Sequence, residues 1–314
     1  MGDLPRVLVI GEALVDIVRD RDGGTVESVG GSPLNVAVTL ARLGVRTELL
    51  TGLGDDDRAD LIQAHLTESG VGLVPGARRL DHTSTATAFL QPDGAAHYEF
   101  DLRWDPTPVA PAAAAVTHAG SLALFLQPGA DLVRRRLEAA ATSSLVTLDP
   151  NVRPALLPDR ALARAAFERL LPLARIVKLS DEDAGWLYPE MGVGEMSRHL
   201  LDAGPNVVAI TRGSHGSVMA SGNFTVEVPT VATDVVDTIG AGDSFMGALI
   251  HQLICCDLTT DVLAGEALWP EELDLLGRNA ARVAAITVSR PGADPPWLSE
   301  LATFTGGRRG AQPA

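Results

Sequence analysis

Short apolar runs alternate with helical patterns along most of this chain, and that alternation limits the folds open to it. RVLVIG (6–11), RTELLTGLG (46–54), SLALFL (121–126), SLVTLD (144–149), RIVKLS (175–180) and NVVAITRG (206–213) read as buried strands. Between them LNVAVTLARLG (34–44), ADLIQAHLTESG (59–70) and the stretches 130–141, 159–171 and 193–203 read as helices. Gly44 and Gly70 stand where a helix end calls for a left-handed residue. Strands that alternate with helices build a parallel sheet covered on both faces. The fold class expected is α/β, a three-layer α/β/α domain with a mainly parallel central sheet. In such sheets ligands lie beyond the carboxyl ends of the strands.

Two regions break the alternation. Residues 12–31 and 83–105 carry polar–apolar alternation without a helix between: LVDIVRD, TVESVG, TATAFLQ and HYEFDLRW. With the turn PDGAAH they predict antiparallel strands of a small sheet that projects as a lid. The expected organisation is one domain over residues 1–304, with the Gly-rich, polar tail 305–314 disordered. PTPVAPAAAA (106–115) reads as a connector running into a helix.

The formal net charge of −15 argues against a nucleic-acid protein, which presents a basic face. It leaves an anionic ligand possible, because a phosphate site needs local donors only. No run of eighteen apolar residues exists, so a membrane span is not expected. The N-terminus lacks the basic start of a signal peptide. Adjacent Cys255 and Cys256 cannot form an ordinary disulfide and read as buried thiols, which fits a reducing cytoplasm.

The most informative stretch is DVVDTIGAGDSFMGALIHQLI (234–254). The small-residue turn Gly240-Ala241-Gly242 opens an apolar helix. Free N–H groups at a helix start, with the helix dipole behind them, make an anion site. Asp243 then falls in the first turn, where its carboxylate is either a helix cap or a proton acceptor beside that anion. A second segment, GGSPLNVAVTLARLG (30–44), sets two glycines and a proline before a helix with Asn35 in its first turn. Gly30 and Gly31 would lie against a ligand whose hydroxyls Asn35 can bind.

These two segments resemble both signatures of the ribokinase-like family of sugar kinases, the PfkB carbohydrate kinases, the second being DTIGAGDSFMGA (237–248). The resemblance runs from about residue 6 to 302. It implies a kinase that moves the γ-phosphoryl group of ATP to a sugar hydroxyl, with Mg²⁺ on the nucleotide. Asp243 is then the base, and Gly240, Ala241 and Gly242 the anion hole. Asp16, in GEALVD, matches the family's sugar-binding aspartate, and Gly31 and Asn35 its sugar-contacting turn. KLSDED (178–183) stands where the family has Asn-x-x-Glu around the phosphates and Mg²⁺; Ser180 and Asp183 occupy those two positions. TRGSHG (211–216) resembles the nucleotide-binding turn, through Thr211, Gly213 and Gly216. The family often binds a monovalent cation, K⁺, beside the anion hole. Asp237, Ile239, Thr287, Arg290 and Gly292 match that site, while Pro296 stands where ribokinase supplies a serine.

LDPNVRPAL (148–156) looks like that of fructokinases and 2-keto-3-deoxygluconate kinases, with Arg153 reaching sugar or phosphate oxygens. GGSPLNVA is also closer to fructokinases, so D-fructose is the expected acceptor and fructose 6-phosphate the product. 2-Keto-3-deoxygluconate is the alternative; its carboxylate needs a cation, and Arg103 of the lid is the candidate. Exposed lid edges imply a homodimer through the lid. A dinucleotide oxidoreductase would need G-x-G-x-x-G after a strand, and a P-loop enzyme G-x-x-x-x-G-K-[ST]; neither occurs. A non-catalytic sugar- or nucleotide-binding protein is the remaining reading from another class, and it would not need Asp243.

Overall fold

The first strand, β1 (Val7–Ile10), shows how the layers arise. Its side chains alternate, so Val7 and Val9 enter one apolar cluster while Leu8 and Ile10 enter another on the opposite face. A strand buried on both faces must be apolar throughout, which is why VLVI stood out in the sequence. The computed structural model describes residues 5–19, 24–90, 96–108, 113–157 and 159–304.

After β1 come β2 (Leu14–Arg19), β3 (Thr25–Gly30), α1 (Ser32–Arg42), β4 (Thr47–Leu50), α2 (Asp57–Glu68), the short β5 (Gly72–Leu73), β6 (Thr85–Leu90) and β7 (Ala96–Asp101). Then follow β8 (Val116–Gly120), α3 (Gly129–Ala140), β9 (Leu145–Asp149), α4 (Arg160–Glu168), β10 (Ile176–Ser180), α5 (Asp181–Leu187), α6 (Val193–Asp202) and β11 (Val207–Thr211). The chain continues through β12 (Ser217–Ser221), β13 (Phe224–Val228), α7 (Ala241–Cys255), α8 (Thr259–Ala264), α9 (Pro270–Val288) and α10 (Leu298–Leu301).

The main sheet has nine strands in the order β13-β12-β11-β10-β9-β8-β1-β4-β5. Strands β11 through β5 in that order run parallel, and β12 and β13 close one edge antiparallel. Helices α1, α2, α7, α8 and α9 bury their apolar sides on one face, and α3 to α6 on the other. The lid is a separate four-stranded sheet, β3-β2-β6-β7, made from the two regions that broke the alternation.

One close approach positions the site. Helix α7 crosses α1 where a Cβ on Gly247 would come within 2.7 Å of Thr39 Cβ, so only glycine lets the helices meet. Asn35 and Asp243 each lie one turn before this contact, which brings the starts of both helices to the same place.

Three expectations are corrected. SLALFL is not a strand: Ser121–Leu124 is a 3₁₀ turn, and the strand is the preceding VTHAG. That strand carries buried Thr117 and His118, which bond Ser144 Oγ just before β9 (2.8 Å) and Thr147 Oγ1 on β9 (2.9 Å). The connector at 106–115 therefore runs into β8, not into a helix. Cys255 is exposed and Cys256 half-buried, because they fall at the C-terminal end of α7, beyond its buried stretch. Most of the PDGAAH turn and the tail 305–314 lie outside the described residues.

Candidate active site

A cleft of about 1030 Å³ opens at the carboxyl ends of β1, β8, β9, β10 and β11, between the main sheet and the lid. Among the anticipated residues, Asp16, Gly31, Asn35, Arg153, Ser180, Asp183, Thr211, Gly213, Gly216, Ile239 and Gly240 to Asp243 line it. Gly30, Asp237, Thr287, Arg290 and Gly292 stand behind that lining.

Helix α7 starts without a side-chain cap. Its N-cap Gly240 is left-handed (φ 75°), and a Cβ there would lie 2.6 Å from Ala293 Cβ. The first-turn N–H groups therefore have no side-chain acceptor of their own. Asp243 does not turn back to cap them. Its Oδ1 accepts from Ser32 Oγ at 2.6 Å and its Oδ2 from Asn35 Nδ2 at 2.8 Å, both from the first turn of α1. Each oxygen keeps a second lone pair for an incoming hydroxyl.

At the lid side of the cleft Asp16 sits on β2 with its carboxyl against Gly30, where a Cβ would lie 2.1 Å from Oδ2. Gly30 is thus a space for Asp16. Burial pushes the Asp16 carboxyl up to about 6, opposed by the charge of Arg153. Gly31 has φ 113°, and a Cβ there would meet the Glu12 carbonyl oxygen at 2.6 Å. Glu12 itself lines the cleft; burial pushes it up to about 7 although Ser121 and the Ala123 N–H (3.2 Å) bond its carboxyl. Ser121 and Asn151, at the ends of β8 and β9, hold positive φ angles of 56° and 35° and also face the cleft. Arg153 donates to Asn151 Oδ1 at 2.8 Å. Arg103 lies outside the lining, exposed on the lid with Asp101 at 3.5 Å.

Ser180 and Asp183 form a capping box on α5. Both Asp183 oxygens accept backbone N–H groups, from Ser180 (3.0 Å) and from Val152 (2.7 Å). Asp183 thereby ties the start of α5 to the DPNVR loop. Asp181 and Glu182 beside it are exposed and line the cleft. Gly213 and Gly216 take left-handed φ angles of 51° and 80°, which lets the turn after β11 fold tightly over the cleft.

Asp237 knits two segments behind the start of α7: Oδ1 accepts from Ile239 N (3.0 Å) and Oδ2 from Gly292 N (2.9 Å). These two backbone bonds hold its carboxyl below the usual range. Thr287 Oγ1 donates to Ser244 Oγ at 2.8 Å, and the Arg290 side chain is taken by Glu300 at 2.5 Å. Of the five anticipated cation-site residues, Asp237 thus ties Ile239 to Gly292, whereas the Thr287 and Arg290 side chains bond Ser244 and Glu300, outside the five.

The pfkB family carbohydrate kinase model matches residues 4–300. The chain belongs to the pfkB family of carbohydrate kinases. This pfkB kinase is similar to a fructokinase of Rhizobium leguminosarum bv. trifolii, 30% identical over 267 residues, or 81% of each chain. It is likewise similar to probable fructokinase-4 of Arabidopsis thaliana, 30% identical over 330 residues and 98% of each. Among solved structures it resembles an uncharacterised sugar kinase of Pyrococcus horikoshii at 25% identity and a TM-score of 0.77, covering 96% of this chain and 97% of that one. The same protein solved in complex with ATP aligns with a TM-score of 0.75 at 25% identity.

Among the polar residues of the cleft lining that sequence reasoning did not assign are Ser32, Glu12 and Lys178. Ser32 and Glu12 lie inside quoted motifs, but their partners, Asp243 and Ala123, are distant in sequence. Lys178 could have been found from sequence, because a lysine inside a buried strand needs a partner and a reason.

Proposed function

We propose that this pfkB kinase transfers the γ-phosphoryl group of ATP to the 6-hydroxyl of D-fructose, with Asp243 as the base. The observation that carries the reading is Asp243, held by Ser32 and Asn35 beside an uncapped start of α7. Asp243 takes the proton of the attacking hydroxyl. The sugar oxygen forms a bond to the γ-phosphorus, and the bond to the β,γ-bridging oxygen breaks with its electron pair leaving on ADP. The first-turn N–H groups of Gly240-Ala241-Gly242 receive the charge that builds on the phosphoryl oxygens.

Asp16, Gly31, Asn35 and Arg153 hold the sugar, and Gly30 makes room for Asp16. Thr211, Gly213 and Gly216 hold the nucleotide. The cleft is large enough for both substrates together, and the ATP complex of the archaeal sugar kinase supports the nucleotide. Mg²⁺ would accompany ATP. Its protein contacts fit Asp181 and Glu182 better than Asp183, whose two oxygens already accept backbone N–H groups. Mg²⁺ supplies charge neutralisation on the phosphates. K⁺ would sit among backbone carbonyls of the Asp237–Ile239 and Thr287–Gly292 segments, where it would steady the anion turn.

Fructose is supported by the curated relatives named fructokinase. It is favoured over 2-keto-3-deoxygluconate because the carboxylates Glu12 and Asp16 face the lid end of the cleft while Arg103 stands outside it. Such a wall suits a neutral polyol. We assign the chain one kinase domain over 1–304, a cytoplasmic setting, and a homodimer through the lid, where Val26 is 68% exposed beside the unpaired β3 edge. No helix among the described residues is long and apolar enough to cross a membrane.

The test is an ATP-coupled screen over fructose, ribose, 2-keto-3-deoxygluconate, adenosine and tagatose. Fructose is expected to give the highest kcat/KM. Phosphorylation of adenosine alone would overturn the sugar assignment.

A further inference from the structure

Lys178 is the only lysine among the chain's 25 Lys and Arg residues. Every other cationic side chain is an arginine, whose planar fork suits carboxylates at a surface. A lysine offers instead a compact point charge that fits a confined space. Lys178 lies within β10 and is 3% exposed, yet it reaches the cleft lining.

Its surroundings are specific. Nζ donates to Asp149 Oδ2 at 2.9 Å. A Cβ on Gly242 would lie 2.8 Å from Nζ, so the ammonium rests against the Cα of the second residue of α7. Gly242, by lacking a side chain, leaves that charge unshielded under the anion turn. Burial by itself would push Lys178 down, but Asp149, and then the charges of Asp183 and Asp243, outweigh it and hold the ammonium above its usual range. His118, facing it from β8, is pushed down to about 3 by burial and by Lys178, so it stays neutral. The other cation in the lining, Arg153, lies beyond the end of β9 beside Asn151, on the side assigned above to the sugar.

A counter-ion for Asp149 would explain the pair but not its place. We propose that Lys178 is a charged member of the anion hole. Its ammonium, fixed by Asp149 beneath Gly242, balances the negative charge that gathers on the phosphoryl group during transfer. Lys178 keeps its three protons throughout; the bonds made and broken are those of the reaction above. The inference rests on the kinase reading of Asp243 and α7. N–H groups alone supply partial charges, whereas a full charge in a water-poor site adds a stabilisation that grows as the transferring group gains charge.

The experiment compares wild type, Lys178→Met and the double variant Lys178→Met/Asp149→Asn, using ATP–Mg²⁺ and fructose. Thermal melting reads the fold, calorimetry reads ATP affinity, and steady-state kinetics separates kcat from acceptor KM. Lys178→Met strands a buried carboxylate, so it is expected to lose both stability and turnover. The double variant removes the charge from Asp149 and is expected to regain the melting temperature. Its kcat is still expected to stay about 100-fold below wild type, with acceptor KM changed less than about threefold. Recovery of kcat to within about fivefold of wild type in the double variant would overturn the proposal and leave Lys178 a counter-ion only. The two readings fail separately: a wild-type protein that phosphorylates no sugar contradicts the kinase reading, whatever the variants do.

Discussion

Helices α5 and α7 both start at the cleft, and both carry an aspartate at the third helical position. Asp183 spends its carboxylate on backbone: one oxygen closes the capping box with Ser180, the other holds Val152. Asp243 makes neither kind of bond. Its helix begins at a left-handed glycine without a cap, and its carboxylate is gripped by Ser32 and Asn35 of another helix. The difference lies in what precedes the aspartate. A serine N-cap turns the side chain inward to satisfy its own helix. A glycine N-cap leaves the N–H groups available to an anion and the aspartate available to a substrate. On the proposed function, the same residue at the same helical position serves structure in one helix and chemistry in the other.

Gly240→Val should break the contrast most severely. A β-branched side chain is badly strained at φ 75° and would meet Ala293, so the anion turn must move. Turnover is expected to fall by about 10²-fold or more, read by the coupled assay.

Asp183→Ala should have the opposite signature from loss of the base. Removing it frees two backbone N–H groups at a buried position and costs about 2–4 kcal/mol of stability. Denaturant melts should show that loss while acceptor kcat stays within about one order of magnitude.

Gly247→Ala forces α1 and α7 apart at Thr39, one turn from the Asn35–Asp243 bond. Overpacking of this kind costs about 1–3 kcal/mol. It should lower kcat more than it raises acceptor KM, which separates misplacement of the base from loss of sugar contacts.

Glu12 gives the smallest effect, and its sign is fixed. Its carboxyl is raised from 4.5 to about 7 by burial, so the folded state binds more protons than the unfolded chain across that window. Stability is therefore lost as pH rises from about 4.5 to 7. Glu12→Gln removes that share of the slope. It should melt a few degrees above wild type at pH 8 and level with it near pH 4.5.

Much of the architecture was legible because strands buried on both faces must be largely apolar, as in VLVI and VVAIT, and in IVKLS apart from Lys178 and Ser180. β8 escaped for the same reason in reverse: VTHAG holds two polar residues whose side-chain partners, Ser144 and Thr147, come from the neighbouring β9 segment, while SLAL looks more strand-like than it is. The lid was legible from its period of two, except that its central pair, β2 with β6, runs parallel where antiparallel strands were expected. Within the site, Gly240 to Asp243 could be read because turn, helix start and aspartate are contiguous. Ser32 and Lys178 could not be given their roles, since each acquires meaning from a residue brought near by folding, Asp243 or Asp149. Gly30 was read as a ligand contact, and its room for the Asp16 carboxylate appears only once β2 and β3 are paired.

The central claim is that Asp243 moves the proton and contributes little to holding either substrate. The direct measurement is fructose phosphorylation by Asp243→Ala at saturating ATP–Mg²⁺, with fructose and ATP affinities taken on the same sample by calorimetry. Affinities within a few-fold of wild type, together with a kcat lower by about 10²–10⁴-fold, are the expected result. A variant that binds both substrates and still phosphorylates fructose at close to the wild-type rate would contradict it.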